Sequence, residues 1–244
     1  MVEGTSLAVT PRNMSELTTK EKNDMLKRML SHAVHFGHGR AKWNPKMKEF
    51  IFTVRDEVHV FDLHKTLDKL MIALDYLKKC AKEGKTVLFV STKQQAVPVV
   101  KATAEAVGQP HVTLKWIPGL LTNYDTVSQR IRYLKKLKEM KASGDFDRYT
   151  KREALDFERE IEKLEMALGG VSEMTKLPDC ILVLDVVRDN IAVLEARKLG
   201  IPVVGICDTN ADPDLVDYLI PGNDDAIKAI EFYFDEFADA LKQK

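Results

Sequence analysis

Short apolar runs alternate along the chain with longer segments that have helical periodicity. The run TVLFVST, residues 86–92, is almost continuously apolar, which is typical of a strand buried on both faces of a sheet. Residues 65–83, which precede it, place leucines along one helical face, and Gly84 stands where a helix would end. Because parallel strands are joined by crossovers that are usually helical, this alternation predicts an α/β fold with a doubly wound, mainly parallel sheet.

The same two patterns predict the other elements of the fold. A short helix is expected at residues 25–30, followed by two short strands at residues 50–54 and 58–62. The remaining strands are expected at residues 111–116, 180–186, 202–208 and 218–221. The remaining helices are expected to end at Gly108, to cover residues 192–200 and to start at Asn223.

The strand pattern stops between residues 126 and 170. Apolar residues continue there at helical spacing, namely Val127, Ile131, Leu134 and Leu137, then Phe157, Ile161, Leu164 and Leu168. This spacing predicts two antiparallel helices with a coiled-coil-like seam. Thr150 and Glu153 match a capping box, in which hydroxyl and carboxylate satisfy free N–H groups at a helix start.

The chain therefore divides into three predicted parts. Residues 1–24 are expected to form a flexible N-terminal arm, because they are polar and lack periodicity. Residues 25–125 and 171–244 are expected to form one α/β globular domain. Residues 126–170 are expected to form an antiparallel helical (coiled-coil) hairpin inserted into that domain.

The composition of the chain indicates the cellular compartment of the protein, but it does not indicate the type of binding partner. The chain has 37 basic and 37 acidic residues, so a polyanionic partner can be argued only from local charge. The cysteines, Cys80, Cys180 and Cys207, lie in apolar runs without a CxxC pair, which favours a reducing compartment. There is no signal-peptide pattern and no apolar run near the ~20 residues that a membrane span needs. A cytoplasmic protein without membrane association is the prediction.

Residues 35–48, HFGHGRAKWNPKMK, combine cations and aromatic rings without any acidic residue. Charge of this density needs solvent or anions, and the glycines and Pro45 predict an irregular backbone whose N–H groups are free to meet phosphate. Phe36 is expected to anchor this loop in the core, and Trp43 is expected to stack on a base or a ribose. The candidate RNA-binding residues here are Arg40, Lys42, Trp43, Asn44, Lys46 and Lys48.

A second segment, residues 115–124, and the helix after it repeat this composition. Residues 115–124 lie directly before the predicted hairpin, and the helix after them is its basic first helix. The second helix of the hairpin is acidic. The further candidate RNA-binding residues are Lys115, Trp116, Asn123, Tyr124, Arg130, Arg132, Lys135 and Lys136. Together the basic and aromatic segments favour structured RNA over a small molecule.

Two kinds of metal site are weaker alternatives. His35 and His38 could be metal ligands, but no cysteine is near and His59 and His64 become partners only through folding. Six aspartates follow predicted strands, where ligands bind in doubly wound folds: Asp185, Asp189, Asp208, Asp212, Asp214 and Asp217. They could hold Mg²⁺, but the interpretation that they bond to their own turns is preferred, because no nucleophile, base or glycine-rich cradle accompanies them.

Two other functions compete with RNA binding. A Mg²⁺-dependent phosphoryl-transfer or nucleotide-binding protein would use the aspartate edge, but Gly84-Lys85-Thr86 lacks the first glycine and the strand-then-helix order of a phosphate-binding loop. A protein-interaction scaffold would use the hairpin as its working part.

Five blocks of the chain resemble the bacterial type of the small-subunit ribosomal protein two family. They are VHFGHGRAKWNPKMKEFIF, KWIPGLLTNYDTV, FDRYTKREALDFEREIEKLEMALGG, LPDCILVLDVVRDNIAVLEARKLGIPVV and DTNADPDLVDYLIPGNDDAI, which follow one another in order between residues 34 and 227. The resemblance implies a flavodoxin-like α/β domain with a protruding helical hairpin. It implies a non-enzymatic role without a cofactor or small-molecule substrate, namely binding of 16S ribosomal RNA near the junction of head and body. It also implies docking of ribosomal protein one within the small ribosomal subunit.

Overall fold

The computed structural model describes residues 19–242. The helices are α1 (Thr19–Ser31), α2 (Leu63–Lys82), α3 (Val97–Ala106), α4 (Tyr124–Ala142), α5 (Lys151–Leu168), α6 (Asn190–Lys198) and α7 (Ile227–Lys242). The strands are β1 (Phe36–Gly39), β2 (Ile51–Arg55), β3 (Val58–Phe61), β4 (Val87–Val90), β5 (His111–Val112), β6 (Cys180–Val183), β7 (Val203–Cys207) and β8 (Tyr218–Pro221).

Five strands form the parallel sheet that the alternation predicts. They lie in the order β5-β4-β6-β7-β8, and all neighbouring pairs are parallel. Counted along the chain within this sheet, the order is 2-1-3-4-5, which is consistent with a flavodoxin-like fold. The prediction of a mainly parallel α/β sheet is confirmed. The edge strand β5 is shorter than predicted, since it covers His111 and Val112 only.

Each central strand contributes side chains to two separate cores. In β4, Phe89 packs in a core with residues of α2, α3 and α7, whereas Leu88 and Val90 pack in a second core with residues of α4 and α6. The same alternation occurs in β6, where Leu182 faces the first core and Ile181 the second. Helices therefore cover both faces, and the carboxyl ends of the strands are left at an edge that neither helical layer covers.

A small antiparallel sheet, in the order β1-β3-β2, was only partly predicted. The two strands after residue 50 are confirmed, but β1 was missed because its sequence FGHG has no apolar alternation. A Cβ on Gly37 would lie 2.6 Å from Cγ2 of Thr209 and 3.2 Å from Oδ1 of Asp208. Glycine is therefore required where β1 crosses the loop that follows β7.

The segment between β5 and β6 contains α4 and α5. Helix α4 starts at Tyr124, two residues before the predicted boundary, and Thr150 and Glu153 form the predicted capping box at the start of α5. Lys141 pairs with Glu158, and Lys138, earlier in α4, pairs with Glu165, later in α5, so the two helices run antiparallel. Leu134 and Leu168 belong to the same core as Val90, so this end of the helix pair packs on the sheet.

The amino-terminal helix differs from the predicted arm. Residues 19–24 form the first turns of α1, whereas residues 1–18 of the predicted arm lie outside the described residues. Met29 of α1 is buried, and Arg28 pairs with Glu236 of α7 at 2.8 Å. Among residues 19–242, no helix combines the length and the apolar character of a membrane span.

Candidate nucleic-acid interface

Backbone bonds fix residues 35–48 against the carboxyl edge of the parallel sheet. The N–H of His38 donates to Oδ1 of Asp208 at 3.0 Å and to Oγ1 of Thr209 at 3.1 Å. The N–H of Asn44 donates to the carbonyl of Thr209 at 2.7 Å. These contacts join the segment to residues more than 160 positions away in sequence, so its backbone is held in place from outside.

Three cations of this segment are free of acidic partners. Arg40, Lys42 and Lys48 are exposed, and within residues 19–242 no carboxylate lies at ion-pair distance from them. Each side chain extends from a backbone held by the sheet edge. Phosphate is the polyanion that such an arrangement suits, because phosphate contacts position a protein on RNA without requiring a specific base.

Lys46 is in a different situation. Its Nζ lies 2.9 Å from Oδ1 of Asp212 and 2.5 Å from Oδ2 of Asp214, and hydrogen bonds to these carboxylates raise the pKa of the ammonium. The prediction that all four cations of the segment are unneutralised is wrong at Lys46. The reason is tertiary, because the loop between β7 and β8 brings two carboxylates beside it.

The aromatic and amide residues of the segment differ in their surroundings. Trp43 is 38% exposed, and its ring lies 5.4 Å from the ring of His59, so part of the indole surface is free. Phe36 is also exposed and contacts His35, so the prediction that it anchors the segment is wrong. The anchors are Met47 and Phe50, which are buried.

Asn44 caps the turn that carries these anchors. Its Oδ1 accepts a hydrogen bond from the N–H of Lys46 at 3.0 Å at the start of the 3₁₀ turn Pro45–Phe50. A side chain used in this way orients the segment and has limited freedom to reach RNA.

The second predicted segment is built around a buried carboxylate. Trp116 is only 6% exposed, and its Nε1 donates to Oε1 of Glu195 at 3.1 Å. The other oxygen of Glu195, Oε2, accepts from the N–H groups of Leu121 and Thr122, and Oε1 also accepts from that of Gly119. Burial acts to raise the pKa of Glu195, but these hydrogen bonds outweigh it, and the net pKa is lower than usual.

The structure therefore corrects the assignment of Trp116 as an RNA-stacking residue. An indole that packs in the core and donates its only N–H to Glu195 has no face available for a base. Position 195 lies 79 residues further along the chain, and no local pattern connects the two residues.

The neighbours of Trp116 divide between structural and exposed positions. The hydroxyl of Tyr124 donates to the carbonyl of Met174 at 2.8 Å, which fixes the start of α4. Oδ1 of Asn123 accepts from the hydroxyl of Thr126 at 2.9 Å, in a local bond at the helix start. Lys115 is exposed and has no acidic partner among the described residues.

The basic helix α4 is only partly neutralised by its surroundings. Lys135 pairs with Glu173 at 3.1 Å, and Lys138 and Lys141 pair with α5. In the described part of the chain, the cations of α4 that lack acidic partners are Arg130, Arg132 and Lys136. The structure thus separates three free cations of α4 from three that are paired with carboxylates, two of them on α5.

The aspartates after the strands make the predicted turn contacts only in part. Asp185 and Asp212 bond to their own turns: Oδ1 of Asp212 accepts from the N–H of Asp214 at 3.1 Å, and Oδ1 of Asp185 accepts from the N–H of Arg188 at 2.8 Å. Asp217 and Asp189 bond to distant segments instead: Oδ2 of Asp217 accepts from the N–H of Val203 at 2.8 Å, and Oδ2 of Asp189 accepts from the N–H of Thr92 at 3.0 Å. The alternative metal site that combined His35 and His38 with His59 or His64 is not assembled among residues 19–242.

One group within the described residues brings together three or more side chains of metal-ligating type. It consists of His38, Asp208, Asp224 and Asp225. The sequence interpretation kept His38 and Asp208 apart and omitted the other two. Asp224 and Asp225 follow β8. In doubly wound folds, ligands bind beyond the carboxyl ends of the parallel strands, so their position after a predicted strand could have added them to the candidate metal ligands.

The fold and the site define a class of protein. It is a doubly wound α/β protein that presents unpaired cations beside the carboxyl edge of its sheet and on a neighbouring helix. The sequence profile of the ribosomal protein S2 family matches residues 29–244. The chain belongs to this family.

Relatives from several bacteria match most of the chain. A protein of Francisella philomiragia named small ribosomal subunit protein uS2 is 50% identical over 217 residues, which are 89% of this chain and 91% of that protein. The protein of the same name from Helicobacter hepaticus is 49% identical over 216 residues, which are 88% of this chain and 82% of that protein. That of Francisella tularensis subsp. novicida is 49% identical over 217 residues, with 89% and 91% covered.

Proposed function

We propose that the protein is a structural, non-enzymatic component of the small ribosomal subunit in the cytoplasm, where it binds 16S ribosomal RNA and serves translation. Membership of the ribosomal protein S2 family supports this role, as do relatives named small ribosomal subunit protein at about half identity over most of the chain. The role requires no cofactor, membrane or small-molecule substrate.

The observation that carries RNA binding is the set of unpaired cations on a fixed backbone. Arg40, Lys42 and Lys48 project from residues 35–48, which the parallel sheet holds through Asp208 and Thr209. Because that backbone is ordered before the partner arrives, less conformational entropy is lost when the cations meet phosphates. The exposed part of the Trp43 indole is the surface on which a base or ribose packs.

A second set of cations extends the proposed interface to α4. Its members are Lys115, Arg130, Arg132 and Lys136, which are exposed and unpaired within the described chain. Lys46 and Lys135 are weaker contributors, because carboxylates already neutralise them. Asn44, Asn123 and Tyr124 support the backbone, and Trp116 is excluded from the interface by its burial.

The domain division remains part of the proposal. Residues 25–125 and 171–244 form the α/β domain, and residues 126–170 form an inserted helical hairpin with a coiled-coil-like seam. The antiparallel ion pairs between α4 and α5 support the hairpin. Through its place in the subunit, near the junction of head and body, the protein also helps to dock ribosomal protein one, as the family resemblance implies.

Salt dependence of binding tests the proposed interface. The variant Arg40→Ala/Lys42→Ala should bind 16S ribosomal RNA more weakly, and its plot of log affinity against log salt should be shallower by about 0.7 to 0.9 per lost phosphate contact. The reason is that each neutralised phosphate releases condensed counterions when the protein binds. Filter binding or fluorescence anisotropy over a salt series measures both quantities.

Two controls accompany this variant, and the first of them matches its loss of two positive charges. Lys79→Ala/Lys82→Ala removes two exposed cations from α2, where no RNA contact is proposed, and should leave the slope unchanged. Lys46→Ala removes a cation that already has two acidic partners and should change the slope little. If Arg40→Ala/Lys42→Ala keeps the affinity and slope of the parent, residues 35–48 are not the phosphate-binding surface.

A further inference from the structure

Three carboxylates, two of them buried, meet a histidine where β1 crosses the carboxyl edge of the parallel sheet. Asp208 follows β7, Asp224 and Asp225 follow β8, and His38 comes from β1. One ligating atom from each of these four side chains lies within 4.8 Å of those of the other three. For comparison, two ligands of a tetrahedral zinc ion with bonds of about 2.1 Å are about 3.4 Å apart, so an ion would draw the four side chains closer together.

Negative charge exceeds positive charge in this group. Lys93 is the neighbouring cation, with Nζ at 2.8 Å from Asp224, 2.6 Å from Asp225 and 3.4 Å from Asp185. His38 and Lys93 therefore face four carboxylates. The side chains of Asp208 and Asp224 are only 1% and 3% exposed, so water compensates this surplus poorly.

The contact between His38 and Asp208 is not a well-directed hydrogen bond. Nδ1 of His38 lies 2.8 Å from Oδ2 of Asp208, but the ring N–H does not point at an acceptor among the described residues. Two atoms that bind the same metal ion are also close together without a hydrogen bond between them. Their lone pairs both point at the ion, and the two atoms lie roughly 3 Å apart.

A buried hydroxyl gives an independent indication of a ligand. Tyr233 is 0% exposed, and its Oη has no hydrogen-bond partner in residues 19–242. The hydroxyl lies against Gly222, where a Cβ would be 1.9 Å from Oη. Gly222 bonds through its N–H to the carbonyl of Cys207, so the hydroxyl is directed between the segments that carry Asp208 and Asp224. An ion with its bound water at this point supplies the acceptor that the phenol lacks.

We propose that His38, Asp208, Asp224 and Asp225 form a binding site for a divalent transition-metal ion of the zinc type. One imidazole and three carboxylates suit such an ion, whereas Mg²⁺ prefers oxygen ligands alone and keeps several waters. Lys93 is the outer partner that holds the carboxylates of Asp224 and Asp225 in place.

The metal ion would connect three chain segments at one point. It joins β1 to the ends of β7 and β8, and β1 leads directly into Arg40 and Lys42. The site would therefore fix the base of the cationic segment. The metal site does not depend on RNA binding, since all four ligands belong to this chain.

Metal titration of the purified full-length protein tests the site. After chelator treatment, the parent should bind one equivalent of Zn²⁺ in competition with a chromophoric indicator. His38→Gln and Asp225→Asn should each weaken this binding at least about tenfold. Asp225→Asn is the safer variant, because its side chain is 56% exposed and is not needed for packing. Circular dichroism should show that both variants keep the parent fold.

Two variants control for zinc bound elsewhere on the surface. His32→Gln changes the histidine that directly follows α1 and lies outside the proposed site, and Asp212→Asn changes an aspartate that pairs with Lys46. Both should bind Zn²⁺ as the parent does. The proposal is overturned if the parent binds no Zn²⁺, if His38→Gln binds it as tightly as the parent, or if Mg²⁺ at equal concentration displaces it.

The X-ray absorption spectrum at the zinc edge identifies the ligands directly. The proposal predicts a shell of nitrogen and oxygen that includes one imidazole. A sulfur atom in the shell would contradict it, since Cys207 is the buried thiol immediately before Asp208.

Discussion

Residues 40–48 and 115–124 both contain an asparagine and a tryptophan that directly follows a lysine, but the two tryptophans have different environments. Trp43 is 38% exposed on a segment whose Arg40 and Lys42 have no acidic partner, whereas Trp116 is 6% exposed and bonded to Glu195. The difference comes from partners far away in sequence. A buried carboxylate organises the second segment from within, and the sheet edge holds the first from one side only.

The comparison shows that similar composition can have two physical uses. Glu195 collects four N–H donors and one hydroxyl from residues 116–122, which makes that segment a structural support for α4. No carboxylate in the described chain does this for Arg40, Lys42 or Lys48. We expect the two segments to respond differently to substitution, with stability affected in one and RNA binding in the other.

The largest effect is expected for Glu195→Ala. The change leaves the N–H groups of Trp116, Leu121 and Thr122 without their acceptor in a buried site, which should lower the free energy of unfolding by about 3–5 kcal/mol. Urea denaturation followed by circular dichroism measures this loss. The control Glu158→Ala breaks the exposed pair with Lys141 and should cost under ~1 kcal/mol. Similar losses in the two variants would show that Glu195 does not organise the segment.

A smaller difference is expected between the two tryptophans. Trp116→Phe removes the N–H bonded to Glu195 and leaves a void in the core, which should cost about 1–3 kcal/mol. Trp43→Phe should change stability by under ~0.5 kcal/mol, since much of the indole is exposed. Thermal or urea unfolding of both variants measures the difference, and equal losses would remove the distinction between the two segments.

Acid should weaken the second segment specifically. Although burial opposes it, the hydrogen bonds to Glu195 lower the pKa of its carboxyl in the folded state below the value of about 4.3 in an unfolded chain. The resulting stabilisation is present above the unfolded-state pKa and is lost as the pH falls through the lower folded-state pKa. Glu195→Gln should therefore lose less stability than the parent between neutral pH and pH values below about 4. A parallel decline of both proteins would contradict the role of Glu195.

The smallest effect is expected for Lys46→Ala within the cationic segment. Because Asp212 and Asp214 already neutralise Lys46, the affinity for RNA should change less than in Lys48→Ala, which removes an unpaired cation two residues away. Binding titrations at one salt concentration compare the two. Equal losses would mean that Lys46 exchanges its carboxylates for phosphate.

The order and type of the sheet elements could be predicted from sequence because they depend on local periodicity. The buried run at β4, the leucines of α2 and the capping box before α5 are patterns within about 20 residues. Strand β1 has no such pattern, and it forms because Gly37 allows close approach to Thr209.

The candidate site was less predictable because it depends on contacts between distant residues. Composition drew attention to Arg40, Lys42 and Lys48 as cations of a segment, residues 35–48, that contains no acidic residue, and the structure leaves them exposed. It could not show that Lys46 pairs with Asp212 or that Trp116 bonds to Glu195, since these partners lie 166 and 79 residues away. The group around His38 and Asp208 was divided between two separate hypotheses for the same reason.

Tryptophan fluorescence tests the contrast between the two segments most directly, because the chain contains only two tryptophans. Trp116→Phe leaves Trp43 as the only reporter, and Trp43→Phe leaves Trp116. On addition of 16S ribosomal RNA, the emission of Trp43 should change and its quenching by acrylamide should decrease, because RNA covers the exposed indole. The emission of Trp116 and its weak quenching should stay the same. A change at Trp116 with none at Trp43 would contradict the proposed interface.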